Sequence, residues 1–366
     1  MPIYGIWQEK DLDLNENGDV IASEVDRVAL LEAQLETVAT ANAEIQRHVR
    51  VFADPTTKSQ LAVRLGADNE FQALDENGRP QPVKGGGSYI AGVPLFKGGT
   101  AEGWNFWTFE QMTLRDFAES LDQMVSAYAK WVRRQMLAPL FYNGAGFNFT
   151  DPRLGEDLTV YGLANGDDVV YQSSNGAATD SHYSAQAAAI SDAANPFTAI
   201  YNDLIEHPQN GSRIVAFVAS DQVAAIRLLA GFAPATRNMI SVIPATGDET
   251  IDPLQAPGLN LPLASTMTYI GMHENTYIVQ WSSLPSGYIV HVAIDAAVKP
   301  LALREYPQPA LRGLINQGEP MSRFPYQQNN YVAAVGFGGK NRVGAHVLRV
   351  GNASYAAPTA YPFPIA

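Results

Sequence analysis

The clearest hydrophobic pattern in the chain lies between residues 113 and 139. Its apolar residues recur at steps of three and four, the period of an α-helix; they are Leu114, Phe117, Leu121, Met124, Tyr128, Trp131 and Met136. Thr113 and Asp116 have the spacing of a capping box, and Pro139 should end the helix because proline lacks a backbone N–H. We predict a helix of about 40 Å that buries this stripe.

A second helical pattern runs from Val25 to about Val49. Its apolar stripe is narrow and carries one polar residue, Asn42; the positions are Val28, Leu31, Leu35, Val38, Asn42, Ile45 and Val49. Such a stripe suits pairing with another subunit, but it equally suits packing on its own domain. Periodicity alone leaves both alternatives open.

Between these helices, residues 61–109 read as a β arm. Two strands, Leu61–Leu65 and Ser88–Phe96, flank a tip that contains Gly85, Gly86 and Gly87. A two-stranded ribbon of this kind is not stable by itself. We therefore expect the arm to lie on another surface.

Beyond the long helix, strands and helices alternate in a compact α/β unit. A helix from about residue 196 to 207 precedes the strand Arg213–Ala219, and Ser220 is expected to cap a helix over Asp221–Leu229. Further strands follow, at Met239–Ile243, Thr268–Met272, Tyr277–Gln280, Gly287–Val292, Val298–Glu305, Tyr326–Val335 and Gly344–Val350. The chain is therefore of the mixed α+β class.

One motif near the N-terminus has the spacing of a calcium-binding loop. The pattern has glycine at loop position six and oxygen ligands at positions one, three, five, seven and twelve. In this chain the ligands would be Asp13, Asn15, Asn17, Asp19 and Glu24. Only twelve residues precede the loop, and two of the ligands are neutral, which weakens attraction for Ca²⁺. The alternative is a polar turn in which Ser23 or Asp19 caps the following helix.

Composition narrows the class of protein. The 366 residues are 46% hydrophobic, carry a formal charge of -13 and include no cysteine. This negative charge argues against a protein that binds nucleic acid tightly through its exposed surface. The absence of cysteine excludes disulfide bonds, thiolate metal sites and cysteine catalysis. No signal peptide or membrane-spanning stretch is visible, so we expect a soluble protein made in a cytoplasm.

Candidate catalytic residues do not emerge. The six histidines are scattered without metal spacing, and a lone histidine in an apolar strand, such as His291, is more often a satisfied core or surface residue than a base. The segment Gly336–Asn341 fails the Walker pattern, and the chain lacks a G-x-S-x-G elbow. We expect no enzymatic activity and no required cofactor.

The order of elements and two segments carry a resemblance to a known family. The segments are Tyr331-Val-Ala-Ala-Val-Gly-Phe-Gly-Gly-Lys-Asn-Arg-Val-Gly-Ala-His-Val-Leu348 and Asn210-Gly-Ser-Arg-Ile-Val-Ala-Phe-Val218. Both are similar to strands of the major capsid proteins of tailed bacteriophages, which have the Hong Kong 97-like fold. The resemblance covers most of the chain from about residue 60.

The resemblance implies a domain plan. It comprises an N-terminal arm with a helix (1–60), an extended β loop (61–109), a spine helix with the first part of the peripheral domain (110–195), an axial domain (196–300), and return strands with a C-terminal tail (301–366). The charged face of the spine helix should then meet solvent or neighbouring subunits; its residues are Arg115, Glu119, Asp122, Lys130 and Arg133.

The resemblance also implies a function and partners. The chain would form hexamers and pentamers of an icosahedral shell that encloses double-stranded DNA without sequence-specific binding, in a virion assembled in the host cytoplasm. A separate scaffold, a portal and decoration proteins would be its partners, and a membrane would not. Two alternatives stay open: an encapsulin-type shell that stores cargo enzymes, and, from a different class, a calcium-dependent binding or adhesion protein.

Overall fold

The computed structural model describes residues 20–22, 25, 27–65, 76, 87–235, 266–318 and 326–363. The chain divides into two compact units. Unit 1 comprises Met1–Arg47, Leu95–Gln135 and Glu305–Gly336, and unit 2 comprises His48–Pro94, Met136–Arg304 and Phe337–Ala366. The described part is mixed α+β, as the sequence predicts.

Unit 1 is built from helices and a small antiparallel sheet. Its elements are α1 (Arg27–Val49), β4 (Phe96–Asn105), α2 (Phe106–Gln111), α3 (Leu114–Phe141), β16 (Leu314–Gly318) and β17 (Tyr326–Gly339), of which α1, α3 and β17 continue into unit 2. β17 pairs antiparallel with β16 and with β4. The predicted arm therefore ends in a strand, β4, that belongs to this sheet.

The long helix α3 confirms the predicted stripe. Leu114, Phe117, Leu121 and Tyr128 are buried. Trp131 is half-buried, and a Cβ on Gly98 would lie 2.8 Å from its indole ring, so only glycine lets β4 approach the ring this closely. The charged residues Arg115, Glu119, Asp122 and Lys130 are exposed, whereas Arg133 is half-buried.

The two ends of α3 differ in how well the sequence predicts them. Thr113 Oγ1 accepts the Asp116 N–H at 3.1 Å, and Asp116 Oδ2 accepts the Thr113 N–H at 3.2 Å, which is the predicted capping box. The prediction that Pro139 ends the helix is wrong, because the helix continues to Phe141 with Pro139 inside it. A proline this near the end removes few hydrogen bonds, and every residue from Gln135 to Phe141 is buried, so packing holds the last turn.

The predicted stripe of α1 is wrong over its first half. Leu31 and Leu35 are each 49% exposed, and the buried positions are Leu30, Gln34 and Val38. Polar side chains anchor this face: the Gln34 amide hydrogen-bonds the Tyr331 hydroxyl, and Asn42 Oδ1 accepts the Leu314 N–H at 2.7 Å while its Nδ2 donates to the Leu314 carbonyl at 2.9 Å. Asn42 thus satisfies the edge of β16 that pairs with no other strand in the described part of the chain.

Unit 2 contains most of the strands and two short helices. They are β1 (Ala53–Thr56), β2 (Gln60–Arg64), β3 (Ser88–Gly92), β5 (Phe147–Thr150), β6 (Asp157–Val160), β7 (Asn165–Ser173), β8 (Gly176–Ser181), β9 (Tyr183–Gln186), α4 (Phe197–Ile205), β10 (Ile214–Val218), α5 (Val223–Ile226), β11 (Phe232–Pro234), β12 (Met267–His273), β13 (Thr276–Trp281), β14 (Tyr288–Ala293), β15 (Leu301–Arg304) and β18 (Ala345–Val350). The predicted strand Met239–Ile243 lies outside the described residues.

A seven-stranded mixed sheet forms the centre of unit 2, in the order β11-β12-β13-β10-β14-β18-β9. β10 pairs parallel with β13 and antiparallel with β14. Ile214, Ala216 and Val218 of β10 share a core with residues of α4 and α5. On the opposite face, Phe217 contacts Phe52 and Trp281, with ring centroids 4.9 and 5.7 Å away. Both faces of the strand are buried, which explains its unbroken apolar sequence.

The predicted helix Asp221–Leu229 is wrong in length and in its cap. α5 has four residues and no side-chain cap. Ser220 Oγ instead accepts a hydrogen bond from Gln280 Nε2, and Asp221 Oδ2 accepts from Ser286 Oγ and the Gly287 N–H. These polar groups are used by tertiary contacts and are not available to cap a helix.

No described helix is both long enough and apolar enough to cross a membrane.

Candidate subunit-contact surface

The segment Gly338–Arg342, which carries much of the sequence resemblance, fastens several elements of unit 2 together. A Cβ on Gly338 would lie 2.6 Å from the Gly92 carbonyl oxygen, and one on Gly339 would lie 2.5 Å from the Gly162 carbonyl oxygen. Side chains at these two positions would therefore clash with backbone. The glycines allow this segment to pass directly against β3 and the turn after β6.

Lys340 and Asn341 continue this pattern of contacts. Lys340 Nζ lies 2.8 Å from Asp54 Oδ2 on β1, and the Lys340 carbonyl accepts the Tyr89 hydroxyl at 2.7 Å. Asn341 Nδ2 donates to Asn210 Oδ1 at 3.2 Å and to the Val298 carbonyl at 3.1 Å. Asn210 and Asn341 belong to the two segments that resemble capsid strands, so those segments meet in space.

Arg342 is the most buried cation of this group. Its Nη1 lies 2.7 Å from Asp167 Oδ2, its Nε and Nη2 donate to the carbonyls of Gly162 and Leu163, and its Cζ lies 4.9 Å from the centre of the Tyr161 ring. A planar guanidinium suits this set of acceptors because its donors have a fixed fork geometry.

Burial raises the pKa of Tyr89, an effect that Arg342 only partly offsets, so the Tyr89 hydroxyl stays a donor at neutral pH. This donor ties β3 to Lys340. The base of the predicted arm is therefore fastened to the same segment as β1, β6 and β7.

The arm itself begins as the ribbon β2–β3. Ala62 pairs with Ile90 and Val63 with Tyr89, so the two faces alternate along the ribbon. One face packs inward, where Tyr89 and Leu65 contact a small core formed by Ala164, Tyr171 and Val343. The other face is exposed, and Ile90 on it is 59% accessible. The tip of the arm lies outside the described residues.

Other large apolar side chains are also exposed. Leu228, in the turn after α5, is 84% accessible, and Leu31 and Leu35 form a pair one turn apart on α1. Single exposed apolar residues are ordinary, but a ribbon face, a helix pair and a turn are the kind of surface that another subunit covers. Leu31 and Leu35 of unit 1, and separately Ile90 and Leu228 of unit 2, are therefore candidate contact residues.

The five candidate calcium ligands, Asp13, Asn15, Asn17, Asp19 and Glu24, lie outside the described residues. The prediction of a Ca²⁺ site therefore stays a prediction.

Histidines that are scattered along the sequence form a cluster in the fold. His182, His207 and His346, which are far apart in sequence, meet in unit 2, with ring centroids 5.2 Å apart for His182–His207 and 5.7 Å for His182–His346. His291 is also not the satisfied core residue that its sequence context suggests. It is fully buried, and neither ring nitrogen has a hydrogen-bond partner among the described residues.

Comparison with solved structures identifies the architecture. The structure of Mycobacterium phage Patience aligns with 94% of this chain and 94% of its own chain, at 20% sequence identity and a TM-score of 0.66. The two chains share a fold. The predicted resemblance is confirmed at this level, across nearly the whole sequence.

Two further solved structures are similar to this chain at lower TM-scores. The capsid of the native GTA particle covers 84% of this chain and 91% of its own at 10% identity and a TM-score of 0.47. The mature capsid of bacteriophage PhiM1 covers 83% of this chain and 86% of its own at 10% identity and a TM-score of 0.46. No protein-family model matches the chain, and neither does any curated protein.

Proposed function

We propose that this chain is the major capsid protein of a tailed bacteriophage, a structural protein that assembles with copies of itself into an icosahedral shell around double-stranded DNA. The observation that carries the proposal is the likeness to the phage Patience structure over 94% of both chains. The capsid-like strand motifs at Asn210–Val218 and Tyr331–Leu348 support it independently of the backbone comparison.

The architecture fits a shell subunit in a second way. The ribbon β2–β3 is fastened at its base by the hydrogen bond from Tyr89 to the Lys340 carbonyl, and its outer face presents Ile90 to solvent. The inner face already packs on unit 2, so only a further surface can bury the apolar side chain on the outer face. In the proposed shell, that surface is a neighbouring subunit, and the interface repeats around every hexamer and pentamer.

The finer assignments belong to the same proposal. The seven-stranded sheet with Leu228 at its β11 end would form the axial domain, close to the five-fold and six-fold centres. α3 would be the spine of the peripheral domain. A separate scaffold, a portal and decoration proteins would complete the virion in the host cytoplasm.

Size-exclusion chromatography followed by negative-stain microscopy tests the proposal. The 39.6 kDa chain, purified alone or with a co-expressed scaffold, should elute as megadalton particles that appear as closed shells. A monomer under every condition would contradict the proposal. The contents of the particle separate the phage shell from an encapsulin, since the first encloses DNA and the second encloses protein cargo.

A matched pair of variants tests the role of the ribbon. Ile90→Asp places a charge on the exposed face, which should prevent assembly and leave the fold of the subunit intact. Arg64→Glu changes a charge at the exposed end of the same ribbon and should have a smaller effect. Shells of normal yield from Ile90→Asp would exclude this face as a contact.

A further inference from the structure

Three potential metal ligands converge at one end of the hairpin β7–β8. Asp180 Oδ2 lies 2.9 Å from His182 Nε2 and 2.8 Å from His207 Nε2, and the two ring nitrogens are 3.2 Å apart. Both histidine side chains are almost completely buried, and that of Asp180 is largely buried. The ligands come from β8, the residue that follows it, and the turn after α4.

The hydrogen bonds of His207 fix its tautomer. Its Nδ1 lies 2.8 Å from the Gln172 carbonyl oxygen, which can only accept, so Nδ1 carries the proton. In the neutral ring, Nε2 then has a free lone pair, and this lone pair points at the acceptor Asp180 Oδ2. Two acceptors at this distance need either a proton or a metal ion between them. A backbone carbonyl on the far nitrogen is the usual partner of a histidine that binds a metal.

His182 has the same requirement. Its Nδ1 has no hydrogen-bond partner among the described residues, and the nearest acidic atom is Asp203 Oδ2 at 3.8 Å. With the proton on Nε2, this nitrogen donates to Asp180 Oδ2 at 2.9 Å and Nδ1 stays unsatisfied. With the proton on Nδ1, the Nε2 lone pair faces Asp180 and His207 and is available to a metal ion.

The surrounding groups hold this arrangement in place. Asp203 Oδ2 accepts from His346 Nδ1 at 2.7 Å, and His346 Nε2 lies 2.7 Å from Ser184 Oγ. Because His346 uses both nitrogens in these bonds, it orients Asp203 and does not compete for the ion. Outer partners of this kind position metal ligands and increase their basicity.

We propose that Asp180 Oδ2, His182 Nε2 and His207 Nε2 bind one zinc ion. Tetrahedral Zn²⁺ with bonds of about 2.0–2.1 Å separates its ligand atoms by roughly 3.3 Å, close to the 2.8–3.2 Å between these three atoms. Imidazole and carboxylate ligands suit zinc better than calcium or magnesium, which prefer oxygen alone.

Glu206 or a water molecule supplies the fourth ligand. Glu206 Oε1 is 3.9 Å from His207 Nε2, and its side chain is partly exposed, so it can move toward the ion. With Glu206 bound, two neutral imidazoles and two carboxylates balance the charge of Zn²⁺. A four-coordinate closed site of this kind is structural, and it would fasten the β7–β8 hairpin to the end of α4.

Protons compete with the metal for the same ligands. Metal ligands must be deprotonated, so zinc affinity should increase with pH, and zinc binding should release any proton held between the three ligand atoms.

Zinc titration of the untagged full-length chain against a chromogenic chelator, with metal content measured by mass spectrometry, tests the proposal. Wild type should bind one zinc per chain. Asp180→Asn and His207→Gln keep the size and much of the hydrogen bonding of the residues they replace, and each should weaken zinc binding by at least roughly tenfold. His48→Ala is the matched control, since it removes a histidine outside the cluster and should bind as wild type does.

Two results would overturn the proposal: a wild-type chain that takes up no zinc, or variants that bind zinc as tightly as wild type. Co²⁺ substitution in wild type provides a readout that needs no variant. It should give the intense visible absorption of a tetrahedral nitrogen and oxygen site, and only the weak spectrum of hydrated Co²⁺ would contradict the assignment.

Discussion

Replacing Arg342 with methionine should strongly destabilise unit 2. The guanidinium is completely buried, it forms an ion pair with Asp167 at 2.7 Å, and it donates to the carbonyls of Gly162 and Leu163. Methionine keeps the length of the side chain but leaves the carboxylate unpaired and two carbonyls without this donor. Removing one partner of a buried pair costs about 3–5 kcal/mol, which is a third or more of the stability of many domains.

Arg213→Met is the matched control for this change. Arg213 also forms an ion pair with an aspartate, Asp295, but its side chain is nearly half exposed. Breaking a pair at an accessible site costs about 0–1 kcal/mol. The two variants therefore remove the same chemical group from sites that differ mainly in burial.

Urea unfolding of the unassembled subunit, followed by circular dichroism, measures both costs. The free energy of unfolding should fall several times further for Arg342→Met than for Arg213→Met. Adding Asp167→Asn to Arg342→Met should restore part of the loss, because it removes the unpaired charge. Equal costs for the two arginines would refute the argument that Gly338–Arg342 fastens the elements of unit 2 together.

Three further predictions concern packing, pH and calcium. Gly92→Ala places a Cβ 2.8 Å from both Leu158 Cβ and the Thr159 oxygen, and thermal unfolding should show a loss of about 1–3 kcal/mol of stability. Gly87→Ala is the control, because its Cβ would have its nearest contact at 3.5 Å and should cost little stability. Similar losses for the two variants would contradict the close approach at Gly92. Burial, aided by His346, lowers the pKa of His291 to about 3 in the folded chain, so below about pH 6.5 the unfolded chain binds a proton that the folded chain does not. As the pH is lowered through this range, the free energy of unfolding should fall by up to ~1.4 kcal/mol per pH unit. His291→Leu should lose this part of the slope, and parallel curves for variant and wild type would argue against it. Calorimetric titration should detect Ca²⁺ binding that Asp13→Ala with Glu24→Ala abolishes, and unchanged uptake would remove both residues as ligands.

Local patterns predict the long helix because its apolar stripe is the face that is buried. Leu114, Phe117, Leu121 and Tyr128 are therefore both periodic and buried. The end of the helix depends on tertiary packing around Gln135–Phe141, which overrides the local preference of Pro139. Sequence alone does not contain that information.

The α1 stripe shows how periodicity can mislead. The buried face carries Gln34 and Asn42, which bind Tyr331 and Leu314, so hydrophobicity marks the wrong residues. Leu31 and Leu35 fit the helical period equally well, yet they are exposed. Of the two open alternatives, an exposed leucine pair favours contact with another subunit for this part of the helix.

The histidine cluster could not be predicted from spacing. Asp180 and His182 are two residues apart, but His207 follows after an intervening helix and His346 comes from the last strand of the sheet. The parallel pairing of β9 with β18 places His182 near His346, and the turn after α4 places His207 beside them. The Asn341-Arg342 motif was visible in the sequence, whereas its acceptors at Gly162, Leu163 and Asn210 depend on the fold.

Cryo-electron microscopy of particles formed by the purified chain tests the central claim most directly. A closed shell is predicted, in which the outer face of β2–β3, marked by Ile90, is covered by a neighbouring subunit. Leu228 should also be buried at a subunit contact near a symmetry axis. A chain that forms no shell, or a shell in which Ile90 and Leu228 both face solvent, would contradict the account.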